Sequence, residues 1–404
     1  MSKPRHLHLS DVRGLQRLAG DATLGVTDLV ETLHRTITRA PGIFGDAPAG
    51  RTRGITGFVY KSVRGVTRVV ASGADALLGA LEPLVAQAPS SPRREAALAV
   101  VNGVFGDYLE ASGNPLAIPL QFRWQGMPLA PTAAALGSAY PEATRGIVAL
   151  AHGLCMNDLH WNRNGHDHGA ALARDLRLAP VYLHYNSGRH ISVNGRAFAD
   201  ALEALVEAWP HRLGTLAIIG HSMGGLVARS ACHYAALAGH AWLRRLDNLV
   251  FLGAPHFGAP LERAGAWADY LVGVSPYSAP FARLGKSRSA GIKDLRHGDI
   301  RDEDWQATTR SIARGQRPMV GLPAGVRSHA VAGSRQQRPG TPGARVRGDG
   351  LVPVASALGR RPDRTRGLAL PGARCRIVYG TGHFDLLDSP HVYRVVRDWL
   401  ASEL

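Results

Sequence analysis

From about Asn114 onward the chain predicts an α/β fold, a mainly parallel sheet with helices on both faces, preceded by a helical amino-terminal region. Three observations carry this expectation. Short apolar runs of strand length alternate with longer segments of helical period, the signature of strand, crossover helix and parallel strand. One such junction, residues 215–228, reads TLAIIGHSMGGLVA, a strand passing directly into a helix through glycines. Residues 1–111 show helical rhythm alone, so the expected organisation is a helical region over 1–111 and an α/β domain over 112–404.

The elements follow in order. Leu15, Leu18, Val26, Leu29, Val30, Leu33 and Ile37 recur at helical spacing up to Pro41, and a Gly/Pro-rich loop then runs to Gly54. Ile55, Phe58, Val59, Val63, Val66, Val69, Val70 and Leu77 line one face of a second helix, with Lys61, Arg64 and Arg68 largely on the other, which makes it basic and amphipathic. A third helix starts at Ser91-Pro92, a cap followed by proline in the first turn. Strands are expected at 116–124 and 127–129, a hairpin around Gln125-Gly126, then at 146–151, 180–185, 213–219, 249–252, 329–332 and 375–379. Helices are expected between them at 169–176, 193–209 and 223–238, and at 392–400 to close the chain. Residues 256–326, rich in large apolar side chains such as Phe257, Trp267, Tyr270, Leu271 and Phe281, interrupt the alternation after the strand that follows the Gly-rich junction. Their composition suits a cap over a site. The Arg/Gly/Pro-rich residues 333–348 read as a loop.

Charge and composition narrow the classes. Lys and Arg number 47 against 31 Asp and Glu, a net charge of +16. The surplus is mostly arginine spread along the chain, without the dense basic block or interleaved aromatics of a nucleic-acid groove, so no nucleic-acid partner is expected. Three cysteines, Cys155, Cys232 and Cys375, make no disulfide framework and fit a reducing cytoplasm. The amino terminus lacks a signal-peptide core, and no apolar run reaches membrane-span length.

The junction Gly220-His221-Ser222-Met223-Gly224 has the spacing of a nucleophile elbow, a tight strand-to-helix turn that lifts a serine hydroxyl clear of the sheet. A serine needs a base to take its proton and an acid to orient that base, and both follow the serine in chain order in such sheets. His383, in a glycine loop just after the last strand, is preferred to His391, which opens the final helix. Asp349, flanked by Gly348 and Gly350, is preferred to Asp385 and Asp388, which stand too near His383 in sequence to orient its ring from outside. An oxyanion needs two preorganised donors; the amides of Met223 and of Leu154, after His152-Gly153, are the candidates. A metal site of His152, His160, His166 and His168 is the alternative for His152, but the spacing matches no tight ligand set, and neither metal nor cofactor is expected.

Three stretches, Gly220-His221-Ser222-Met223-Gly224-Gly225, Leu252-Gly253-Ala254-Pro255-His256-Phe257-Gly258 and Gly348-Asp349-Gly350-Leu351-Val352-Pro353, resemble motifs of the α/β-hydrolase superfamily. The chain from about 114 onward is similar to its lipase-like members, both bacterial triacylglycerol lipases and the GPI inositol-deacylase-like branch. That resemblance implies Ser222 as nucleophile, Asp349 and His383 as its partners, Leu154 and Met223 as the oxyanion pair, and a serine carboxylester hydrolase acting on a small-molecule ester or lipid. The alternatives are an intracellular polyester or granule depolymerase, an acyltransferase, and a non-catalytic lipid-binding protein on a hydrolase fold. A cytoplasmic protein is expected; the amino-terminal helices read first as packing on the catalytic domain or on a second subunit, and alternatively, through residues 54–82, as a peripheral contact to a lipid or granule surface.

Overall fold

The computed structural model describes residues 8–38, 54–81, 90–142, 144–259, 274, 289–306, 320–339, 347–361 and 367–402. Two compact units emerge, one of Met1–Arg94 with Ala111–Leu116, the other of Glu95–Glu110 with Ala117–Leu404.

The larger unit is built on an eight-stranded sheet of β1 (Gln121–Trp124), β2 (Met127–Pro128), β3 (Gly146–Ala151), β4 (Leu178–His184), β5 (Thr215–His221), β6 (Leu246–Leu252), β7 (Arg327–Ser334) and β8 (Cys375–Tyr379). Their order is β2-β1-β4-β3-β5-β6-β7-β8. Every pair from β4 to β8 is parallel, while the β1–β2 hairpin runs antiparallel against β4. The hairpin turns at Gln125 and Gly126, both at positive φ, as the Gln-Gly pair predicts. All six residues of β3 are buried, so side chains on both of its faces are covered, as a parallel sheet requires.

Helices supply that cover. They are α3 (Pro92–Ala111), α4 (Ala133–Ala139), α5 (His168–Leu176), α6 (Ile191–Glu207), α7 (Met223–Ala238), α8 (Ala290–His297), α9 (Asp302–Trp305), α10 (Val354–Ala357) and α11 (Pro390–Ala401), after α1 (Leu9–Thr38) and α2 (Gly54–Leu81) of the smaller unit. In α6, Phe198, Leu202 and Leu205 are buried at helical spacing. Helix α11 starts where Ser389 accepts the Val392 amide and Pro390 occupies the first turn, and it buries Val392, Val396 and Leu400.

Element ends depart from the sequence reading where amides find side-chain partners or extra register. The strand expected from 116 begins only at Gln121, because the Ile118 amide donates to Asn102 Oδ1 at 2.9 Å and the Leu116 amide to Asn114 Oδ1 at 3.0 Å. Strand β6 starts three residues early, at Leu246, which pairs with Leu216 across a register shift. Of the expected cap, α8 and α9 lie among the described residues; 260–273, 275–288 and 307–319 lie outside them.

The α3 segment Glu95–Glu110 belongs to the sheet unit because of two close approaches. A Cβ on Gly103 would stand 2.2 Å from Cys155 Sγ, and one on Gly106 would overlap Asn186. Asn186 Nδ2 in turn donates to the Gly106 carbonyl at 2.9 Å. Arg123 ties β1 to the same helix by an ion pair to Glu95 at 2.7 Å.

Candidate active site

Strand β5 ends at His221 and α7 begins at Met223, leaving Ser222 alone in the turn at φ 54, ψ −122. For a residue with a Cβ that conformation costs roughly 1–3 kcal/mol and persists only where its surroundings enforce it. They do so here: the Ser222 amide donates to the Leu252 carbonyl at 2.9 Å and the Gly225 amide returns to the Ser222 carbonyl at 3.1 Å. The flanking glycines are spatial necessities. A Cβ at Gly220 would lie 2.5 Å from Gly225 Cα, and one at Gly224 would lie 2.1 Å from the Ala151 carbonyl oxygen at the end of β3.

Asp349 and His383 come from the loops after β7 and β8. His383 Nδ1 and Asp349 Oδ2 are 2.8 Å apart, with both side chains buried. The other carboxylate oxygen accepts the amides of Leu351 at 2.9 Å and Val352 at 2.8 Å, which fixes the carboxylate plane. The turn that permits this needs Gly350, at φ 105, where any side chain would also strike the Arg335 guanidinium. Backbone joins the two residues a second time, the His383 amide donating to the Asp349 carbonyl at 3.1 Å. The rivals are engaged elsewhere: Asp385 accepts the Gly382 amide at 2.8 Å, Asp388 accepts Asn164 Nδ2 at 2.5 Å, and His391 is exposed at the head of α11.

Two contacts bring this pair to the elbow. His221, the neighbour of Ser222, sets its Nε2 3.1 Å from the His383 carbonyl, and the two rings lie 4.8 Å apart. Gly253, which follows the Leu252 that holds the Ser222 amide, faces both partners: a Cβ there would stand 3.2 Å from Asp349 Oδ2 and 3.3 Å from His383 Cε1. Burial, and then the neighbouring His383, hold His221 well below the ordinary histidine pKa, so it is neutral and donates from Nε2 to that carbonyl.

The loop after β3 is the third wall. A Cβ on Gly153 would lie 3.2 Å from Ser222 Cβ, so this backbone touches the elbow. The Gly153 carbonyl accepts from His152 Nδ1 at 2.8 Å and from the Met156 amide at 3.3 Å. In a trans peptide the following N–H is antiparallel to that carbonyl, so these bonds set the direction of the Leu154 amide. The Met223 amide is the first of α7, among the donors a helix leaves without an intrahelical acceptor. His152 is itself fixed, stacked on Tyr185 at 4.2 Å while the Tyr185 hydroxyl donates to the His152 carbonyl at 2.7 Å. Burial pushes its pKa down to about 3. Sequence reasoning missed Tyr185 and the ring role of His152, since no motif links residues 33 positions apart.

The other histidines do not converge with His152. His160 Nδ1 meets Asn157 at 2.6 Å, and His166 and His168 meet each other at 2.8 Å, with His168 Nε2 on the Leu386 carbonyl. Among the described residues no group of three or more His, Cys, Asp or Glu side chains is disposed to hold a metal. A cavity of about 590 Å³ lined by Trp124, Tyr140, Leu159, Asp167 and Tyr182 shares no residue with the Ser222 site.

Residues 172–327 match the family model of the PGAP1-like alpha/beta domain. No curated protein sequence matches the chain. Among solved structures it is similar to the mature form of the Bacillus licheniformis lipase BlEst2, at 16% identity over 65% of this chain and 94% of that one, TM-score 0.40. It is also similar to the RedJ thioesterase of the prodiginine biosynthetic pathway in Streptomyces coelicolor, at 18% identity over 65% and 91%, TM-score 0.38. A third likeness is to phospholipase PlaB from Legionella pneumophila, at 20% identity over 52% and 44%, TM-score 0.31. The sheet order, the elbow between β5 and α7 and the family-model match make this an α/β-hydrolase fold.

Proposed function

We propose that the protein is a serine hydrolase that cleaves carboxylic esters through an acyl-enzyme. The observation that carries the reading is a serine held at φ 54 whose chain neighbour His221 meets a buried His383–Asp349 pair bonded at 2.8 Å, an arrangement whose backbone strain and buried polar pair have no evident structural return. In this scheme Ser222 Oγ attacks the ester carbonyl carbon and His383 Nε2 takes its proton. The tetrahedral oxyanion forms against the amides of Leu154 and Met223. As it collapses the C–O bond breaks, and His383 returns the proton to the departing alcohol. Water then repeats the sequence on the acyl-serine, releasing the acid and restoring Ser222. Asp349 holds the imidazolium through its contact with Nδ1.

The apolar sequence of the insertion, with Trp267, Tyr270, Leu271 and Phe281, supports an ester whose acyl portion is greasy. Fluorophosphonate labelling and p-nitrophenyl ester turnover test the reading together. The wild-type protein should be labelled and active, and Ser222→Ala neither; turnover by Ser222→Ala at the wild-type rate would refute the assignment.

A further inference from the structure

Helices α1 and α2 pair through charge and leave most of their described large apolar residues outside, the reverse of a soluble helical hairpin. Arg64, nearly fully buried, is held by Glu31 at 2.6 Å and Asp28 at 2.8 Å. Towards the other end Asp75 takes Arg13 at 2.8 Å and Arg17 at 2.5 Å. Arg64 lies on the face opposite the apolar row, as the sequence pattern places it, and α1 meets it there with two carboxylates.

What α2 shows to solvent is a continuous apolar stripe. Phe58 is 69% exposed, Val66 64%, Val69 74%, Val70 63% and Leu77 62%. At 100° per residue these fall within a sector of roughly 120°. Leaving so much contiguous apolar surface in water is unfavourable and marks an interaction site. Helix α1 carries a narrower exposed row of Val12, Leu15, Val26 and Val30.

Charge selects the occupant. The exposed charged residues of α2 are Lys61 and Arg68, both cations, on one border of the stripe; its one acid, Asp75, is consumed by Arg13 and Arg17. A lysine or arginine at that border can lay its alkyl stem along an acyl layer while its head reaches lipid phosphate. No helix among the described residues is long and apolar enough to cross a membrane, so the contact lies in the plane of the surface. From this geometry we infer that α2 docks the protein, apolar stripe down, on an anionic phospholipid surface.

The inference is independent of ester cleavage and is read by binding alone. Full-length protein should sediment with vesicles of phosphatidylglycerol and phosphatidylcholine, and more weakly with phosphatidylcholine alone. Val66→Asp with Val69→Asp should lower binding to both by at least about tenfold, since each change puts a charge in the apolar contact. Lys61→Gln with Arg68→Gln leaves the stripe intact. It should lower binding to the anionic vesicles by about twentyfold or more, at roughly fivefold per cation, and leave the weak neutral binding unchanged. Binding unmoved by either pair would overturn the proposal. So would a wild-type dimer that Val66→Asp splits into monomers with no vesicle binding in either state, because a second copy then covers the stripe.

Discussion

Acid should unfold this protein sooner than its basic composition suggests, and four histidines set the scale. His152, His168 and His329 are buried and His160 is half-buried. Burial pushes His152 down to about 3 and His160, His168 and His329 to about 4, against an ordinary value of 6.5. Unfolded, each would take up a proton as pH falls through 6.5; folded, none does so before about pH 4. The unfolded state therefore binds more protons in that window, and stability is full above pH 6.5 and lost as pH falls towards 4. Each histidine contributes about 1.4 kcal/mol per pH unit, so between pH 7.5 and 5.5 the four together remove about 5 kcal/mol. That rivals the whole stability of many domains. Urea denaturation followed by circular dichroism at the two pH values measures it. His168→Gln, whose Nε2 can keep the bond to the Leu386 carbonyl, should remove about a quarter of the pH dependence. A urea midpoint that does not move between pH 7.5 and 5.5 would refute the reasoning.

Two substitutions probe the site itself. In Asp349→Asn the amide oxygen must stay with the Leu351 and Val352 amides, so its NH2 faces His383 Nδ1, forces the proton to Nε2 and leaves no base for Ser222. Ester kcat should fall about 10⁴-fold, or about 5.4 kcal/mol, with the melting temperature nearly unchanged; a loss under tenfold would count against Asp349. His152→Phe keeps the stack on Tyr185 but frees the Gly153 carbonyl, so kcat should fall about 10²-fold at similar KM as the Leu154 amide loses its aim.

What the sequence made legible was the part written in local chemistry. Gly220 to Gly224 announces its turn because no other residue fits at either end, and Gly348-Asp349-Gly350 does the same for the carboxylate loop. The alternation of strands and helices followed from periodicity, with ends misjudged where an amide had a side-chain partner such as Asn102. Partnerships across distance left no such trace. The seat of α3 depends on the close approach of Gly103 to Cys155, and the burial of Arg64 on two carboxylates of another helix. A glycine inside a helix, or an arginine beside valines, looks the same in sequence whether or not such a partner waits for it.

The sheet order explains why residues from 152 to 383 can meet. Strands β3, β5, β6, β7 and β8 are consecutive neighbours and all parallel, so their carboxyl ends open on one edge, and each loop at that edge gives one part of the site. Spacing alone would still keep the parts apart, since β5 and β8 are separated by three strand spacings of about 4.8 Å, or roughly 14 Å. The His221 and His383 rings are nevertheless 4.8 Å apart, so the loops after β7 and β8 must lean back across β6. The bonds that lean them are visible: the Thr381 amide to the Ser334 carbonyl at 2.9 Å, and the His383 amide to the Asp349 carbonyl at 3.1 Å. They can do so only because β6 is followed by Gly253, at φ 60, where a side chain would collide with Leu386 at 2.7 Å and press on the Asp349 carboxylate. The Leu252-Gly253-Ala254-Pro255 stretch, which holds none of the candidate catalytic residues, is thus as necessary to the geometry as the serine turn, because Gly253 leaves the space that the His383 ring and the Asp349 carboxylate occupy.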